Sequence, residues 1–324
     1  MSIFLAMALA VAGSLIAAIA CAQGYPNKPV QLVVPFAPTG STSLVFRAMA
    51  PVLAEKLGQQ LVILNRPGGA ATIGMAVVAK SAPDGYTLGV ATLSFAANPP
   101  FMVGQMPFDT EKDFAAVSLV TRLPMVLTIN PGVPARSVKE LIALAKVKPG
   151  ALNYGSAGIA SSGHLGGALF EMMAGIQMTH IPFSSTGSAT GVVAGQTQLQ
   201  IAPIPSSLSF IQSGKMIALG VSSLKPVSTL PGVPAIAETG IPGFEAYEWS
   251  GIVAPVGTLA AIIARLQKDI AATLADAEVG KRIEGIGAQT VGSTADEFDR
   301  FLKKELGVWA KVAAAIQAAS KANQ

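Results

Sequence analysis

The sequence predicts an α/β fold with mostly parallel sheets, on three observations. Short apolar runs rich in β-branched residues alternate with amphipathic helical segments along the chain. The length, 324 residues, suits one large domain or two ordinary ones. The loops from strands into following helices are rich in Gly, Ser and Thr, as expected at the carboxyl edge of such sheets.

Composition excludes several classes. Hydrophobic residues make up 51% of the chain and charged residues 12%, too apolar for disorder. The net charge of +4 is small and no run of Lys or Arg forms a stripe, which argues against nucleic acid as a partner. Two His and one Cys leave no basis for a structural zinc site or a disulfide framework, and no metal or cofactor is implied.

Residues 1–22 hold 19 apolar residues and no charge. Ala18-Ile19-Ala20 and Ala20-Cys21-Ala22 offer the small-x-small pattern of a signal-peptide cleavage site. The segment is expected to export the chain to the periplasm and be removed. Lipidation at Cys21 and retention as a membrane anchor are the alternatives. No later apolar run is as long.

The elements come in this order. Val30–Pro35 is a buried strand, and Ser43–Leu57 a helix in which Pro51 predicts a kink or break. Gln60–Leu64 is a strand, Thr72–Lys80 a helix and Tyr86–Ala91 a strand. Met125–Asn130 is a strand, and Ser137…Glu140 forms a capping box for a helix to Lys148. Leu152–Gly155 is a strand leading to a helix from about Gly163 to Ala174. His180 is expected to precede a strand as a structural residue. The segments 187–195, 198–201, 205–213 and 217–222 continue the alternation. Helices are expected near 258–274, 276–285 and 294–319, the last opened by the box Thr294…Glu297.

Four loops share a character: 36–43 (FAPTGSTS), 92–98 (TLSFAAN), 156–163 (SAGIASSG) and 183–188 (FSSTGS). None contains a charged residue. Any one of them is explained by ordinary capping and tight turns. Together they suggest a cleft in which helix starts, hydroxyls and backbone N–H groups hold a small anion. Catalytic motifs are lacking: Tyr154 stands where a G-x-S-x-G elbow at Ser156 needs Gly, and Ser222…Lys225 has no partner motifs. His164, beside Ser161 and Ser162 at a helix start, is the one candidate base for a hydrolase.

The chain resembles the Bug, or TctC-like, extracytoplasmic solute receptors of tripartite tricarboxylate transporters. The resemblance lies in 25–30 (YPNKPV), 33–38 (VVPFAP), 65–70 (NRPGGA), 82–88 (APDGYTL), 152–158 (LNYGSAG), 178–183 (MTHIPF), 230–234 (LPGVP) and 254–258 (APVGT). It runs in order through essentially the whole chain after the leader. It implies a two-lobed periplasmic binding protein of type II, the Venus-flytrap kind, each lobe a mixed, mostly parallel sheet flanked by helices. Lobe 1 is then 26–125 plus 247–324 and lobe 2 is 126–246, with the ligand between them. Carried over by position, the ligand-binding residues are Phe36, Ala37, Pro38, Thr39, Gly40, Ser41, Ser43, Ser94, Ser156, Ala157, Gly158, Ser161, His164, Phe183 and Ala202.

Two departures stand out. Thr39, Ser41 and Ser43 take the place of two glycines and an acid in the family's first loop, and Ala202 stands where an acid usually faces the cleft. These positions offer no charge, which points to an uncharged or purely anionic ligand. The leading expectation is a monomeric receptor that gives a small organic carboxylate to membrane permease subunits. A ligand-sensing co-receptor of a two-component system and a Ser/His hydrolase are the alternatives.

Overall fold

The computed structural model describes residues 24–38, 40–97, 106–183 and 187–322; side chains at 70 and 315–322 are not described. The leader with Cys21, and Thr39 of the first loop, lie outside the described residues.

The first half opens with β1 (Val30–Val34), α1 (Ser41–Leu57), β2 (Leu61–Asn65), α2 (Thr72–Ala79), β3 (Thr87–Thr92) and α3 (Leu93–Ala97). The apolar runs of β1 and β3 are almost wholly buried, which suits strands covered on both faces. β1 pairs in parallel with both β2 and β3, so α1 and α2 are crossover helices.

β4 (Phe114–Ile129) is a 16-residue strand that serves both sheets. Phe114–Pro124 pair antiparallel with β9 (Tyr247–Pro255), whereas Met125–Ile129 pair with β7 (Leu199–Pro203) and β8 (Ile217–Val221). The change of partner falls between Pro124 and Met125.

The second half contains α4 (Val138–Val147), β5 (Asn153–Ser156), α5 (Ser162–Ala174), β6 (Thr179–Pro182), α6 (Gly187–Val193), β7, α7 (Ile204–Gln212), β8 and α8 (Ile236–Thr239). β5 pairs in parallel with β6 and β7. After β9 the chain returns to the first half with α9 (Ala260–Leu274), α10 (Ala277–Gly285), β10 (Gln289–Thr290) and α11 (Ala295–Ala322). Both sheets are therefore mixed: a parallel trio joined to antiparallel crossing strands. The strand order is β2-β1-β3-β9-β4-β7-β5-β6, with β8 and β10 also on β4.

This topology positions a site. Thr92 at the end of β3 pairs with Ser250, and Ser250 with Thr121. Pro203 at the end of β7 pairs with Met125. The carboxyl ends of strands from both parallel trios thus converge on the stretch Thr121–Met125 where β4 changes sheets. Helices that follow such strands point their N-termini at that seam. Ser222 ties the two crossings: its hydroxyl accepts from Met125 N–H at 2.9 Å and donates to Ala246 O. The S-x-x-K serine is thus fully buried in the frame.

Three expectations are corrected here. α1 continues as helix through Pro51, so the expected break does not occur; Pro51 and Arg47, whose carbonyl loses its helical donor, are both exposed. The same helix starts at Ser41, two residues early, so Ser43 lies inside its first turn. His180 is within β6 rather than before a strand. The box Thr294…Glu297 forms in full, whereas at Ser137 only half forms: Ser137 accepts from Glu140 N–H, but the Glu140 carboxylate takes Arg136 N–H instead of Ser137's. No helix among the described residues is long and apolar enough to cross a membrane.

Candidate functional site

Two helix starts face each other across the seam. α1 begins at Ser41 after an extended Gly40, and α5 begins at Ser162 after Ser161. Between them stands the carboxylate of Glu248, on β9 opposite Leu123. Ser41 Oγ donates to its Oε1 at 3.3 Å and Ser162 Oγ donates to its Oε2 at 3.2 Å. One carboxylate thus joins a helix of each half. Positive helix ends favour an anion there. Burial pushes the Glu248 carboxyl above its ordinary pKa, while the hydroxyls of Ser162, Ser41 and Thr42 act in the opposite direction. The cavity beside it, lined by Ser41, Thr42, Thr121 and Ser250 among others, measures about 10 Å³, room for about one water.

A second bond crosses the seam: Ser94 Oγ in α3 donates to Ala160 O at 3.2 Å. Ser41 and Ser94 of one half and the 156–164 loop of the other are therefore brought together, as the sequence suggests.

The first loop is held from behind. Asn65 Nδ2 donates to Phe36 O at 2.9 Å and to Ser43 Oγ at 3.0 Å, and its Oδ1 accepts from Arg47 at 2.9 Å. Ala37 and Pro38 are exposed, and Ala37 O accepts from Gly40 N–H at 3.0 Å. Ser43 is 0% exposed and turned onto Asn65, so its hydroxyl braces the loop from inside.

In the second half, Ser156 at the end of β5 lies 2.6 Å from His180 Nε2, and its Oγ donates to Gly158 O at 3.0 Å. The His164 and His180 rings stack with centroids 4.1 Å apart. Ser161 caps α5 by accepting from His164 N–H and donates to Gly158 O at 2.7 Å. His164 Nδ1 accepts from Ala160 N–H at 3.2 Å, which fixes a bare nitrogen there. Burial pushes both imidazoles down to about 4, His164 also acting on His180. Both rings are neutral at pH 7. Among the described residues, Ser156 and His180 make a serine–histidine side-chain contact, a pair the sequence does not suggest.

Phe183 is half-buried and Ala202 buried, each packed against neighbours. A Cβ added at Gly191 would come within 2.5 Å of the Phe183 ring, so glycines of α6 and β5 form its bed. Ala202 is 6% exposed and paired with Val126. Ala157 is exposed, and Gly158 has φ +119°, a conformation that favours glycine.

Sequence reasoning missed Glu248, Asn65 and the pairing of His180. Glu248 was discoverable: it is the one acid in the stretch 246–256, which otherwise reads as a buried strand. The first loop and Ala202 do lack acids, but β9 supplies one to the same place. A larger cavity, about 390 Å³, lies where Tyr247 and Trp249 of β9 meet Arg122, Phe301 and Trp309. Alternation along the strand turns these two side chains to the face opposite Glu248. Among the described residues no cluster of His, Cys, Asp and Glu is fit to hold a metal.

Comparison with known proteins agrees with this architecture. The family model described as "Tripartite tricarboxylate transporter family receptor" matches residues 45–318. Protein BugT of Bordetella pertussis is 36% identical over 310 residues, covering 94% of this chain and 93% of its own. The structure of R. palustris Rpa4515 with adipate superposes with a TM-score of 0.78 at 33% identity, covering 90% of this chain and 97% of that one. MatC (Rpa3494) from Rhodopseudomonas palustris with bound malate gives 0.76 at 29%, covering 89% and 100%. The architecture is that of a two-lobed periplasmic binding protein, and the chain belongs to the TctC family of tripartite tricarboxylate transporter receptors.

Proposed function

We propose that this chain is a periplasmic receptor that closes its two halves on a small organic carboxylate and delivers it to membrane permease subunits. The observation that carries the reading is the seat of Glu248: a carboxylate bound by the first residues of α1 and α5, helices of opposite halves. Donors fit for a carboxylate already converge there. Solved structures of relatives with adipate and with bound malate support the same ligand class.

Residues 26–125 with 247–324 are read as one lobe and 126–246 as the other; the change of partner between Pro124 and Met125, one residue from this boundary, supports the division. The crossing strand β4 and the return of the chain into β9 are the hinge, and ligand binding selects the closed arrangement that the permease recognises. The hydroxyls, backbone N–H groups and neutral histidines of the seam bind and orient; the reading requires no turnover. Residues 1–22 act as the export signal.

A thermal-shift panel of mono-, di- and tricarboxylates, aromatic ones included, tests the proposal. Ligand at a hundredfold excess over its Kd stabilises the fold by about 2.7 kcal/mol, a rise of roughly 5 °C in Tm for a chain of this size. No shift with any carboxylate contradicts it.

A further inference from the structure

The carboxylate of Glu248 occupies the place that the receptor reading gives to the ligand. Each of its oxygens takes a hydroxyl from the first residue of a different helix, Ser41 of α1 and Ser162 of α5. These helices run 17 and 13 residues, long enough for their N-terminal ends to favour negative charge. None of the ion pairs among the described residues includes Glu248, so hydroxyls rather than a cation hold it.

A serine hydroxyl has one proton to donate, and those of Ser41 and Ser162 are both given to Glu248. Two carboxylates at contact also repel when both are ionised. A ligand that uses the two helix starts therefore has to take them from Glu248. The residue is tethered to β9, the strand that pairs with both β3 and β4, so its reach is fixed by the frame.

We infer that Glu248 is a built-in competitor for the anion seat, and that it sets both the affinity and the charge preference of the receptor. The inference rests on the carboxylate-receptor reading of the seam. In the ligand-free protein Glu248 links the halves in the ligand's place. When a carboxylate arrives, the hydroxyls of Ser41 and Ser162 pass from Glu248 to the ligand, and no covalent bond changes. A ligand of higher charge meets more repulsion from the displaced side chain, so the receptor discriminates against tricarboxylates.

Titration calorimetry with malate, adipate and citrate tests this on the wild type, Glu248→Gln and Glu248→Ala. Gln keeps the shape and removes the charge, and carries the test if the Ala variant does not fold. The variants are expected to bind at least one carboxylate more tightly by about tenfold, a change of about 1.4 kcal/mol, with the largest gain for citrate. Binding by the variants where the wild type shows none supports the inference equally. Equal or weaker binding by the variants, with the wild type binding, overturns it: Glu248 is then a bystander or a ligand contact. Failure of all three proteins to bind any carboxylate overturns the receptor reading, and the inference with it.

Discussion

Trp249 of β9 and Trp309 of α11 donate their indole N–H groups to the same oxygen, Oε2 of Glu305, at 2.8 and 2.9 Å. Both indoles are buried, and both belong to the half that holds the chain ends. Burial pushes the Glu305 carboxyl above its ordinary pKa while the two indoles pull it down. The strand that carries Glu248 is thereby fixed to the terminal helix one residue along. Glu305→Ala leaves two buried donors without their acceptor and is expected to cost about 2–4 kcal/mol. Glu305→Gln keeps an acceptor and costs less. Urea unfolding followed by tryptophan fluorescence checks this, since these are the chain's two tryptophans. An Ala variant as stable as the wild type would refute it.

The stacked histidines give a pH signature. Their folded pKa values, about 4, lie below the unfolded value of 6.5. A depressed histidine stabilises the fold where it is neutral in both states, above pH 6.5, and that stability is lost as pH falls from 6.5 through 4. The chain has two histidines, so one substitution assigns both ring resonances by NMR. Both are expected to stay neutral down to about pH 5. A ring that titrates near 6.5 contradicts the stack.

Asn65 braces the first loop through Phe36 O and Ser43 Oγ. Asn65→Ala removes both bonds and leaves the bonds of Ser41 and Ser162 to Glu248 in place. Carboxylate affinity should fall about tenfold, with about 1–2 kcal/mol of lost stability. Parallel calorimetry and unfolding measurements separate the two effects. Unchanged affinity in a folded variant would show that the loop needs no brace.

Phe183 is tested by its bed. Gly191→Ala places a methyl group 2.5 Å from the ring, and overpacking of this kind costs about 1–3 kcal/mol. A variant as stable as the wild type, by urea unfolding, would mean that the ring moves freely and is open to contact with ligand.

The parallel trios were legible because Val30–Val34 and Thr87–Thr92 carry the signature of strands buried on both faces. The crossing strands were not. In β4, Arg122 and Pro124 interrupt the apolar run, so only its end from Met125 reads as a strand. β9 mixes Glu248, Trp249, Ser250 and Gly251, each placed by pairing across the sheet rather than by local preference. At the site, the Gly/Ser loops were visible as composition. What they meet was not: Glu248 lies 207 residues from Ser41, and only the return of β9 to β4 brings the two together. Ser43 looked like a ligand contact because it sits in such a loop, but the early start of α1 turns it inward onto Asn65.

The receptor reading stands on a carboxylate held between the first turns of α1 and α5. Hydrogen exchange with mass spectrometry, with and without saturating malate or adipate, probes both turns at once. Peptides covering residues 36–46 and 157–167 lie in different halves, and the free N–H groups of both helix starts fall within them. Exchange is expected to slow in both peptides together. Slowing in one alone, or only around Arg122, Trp249 and Trp309, would contradict a ligand seated between the two helices.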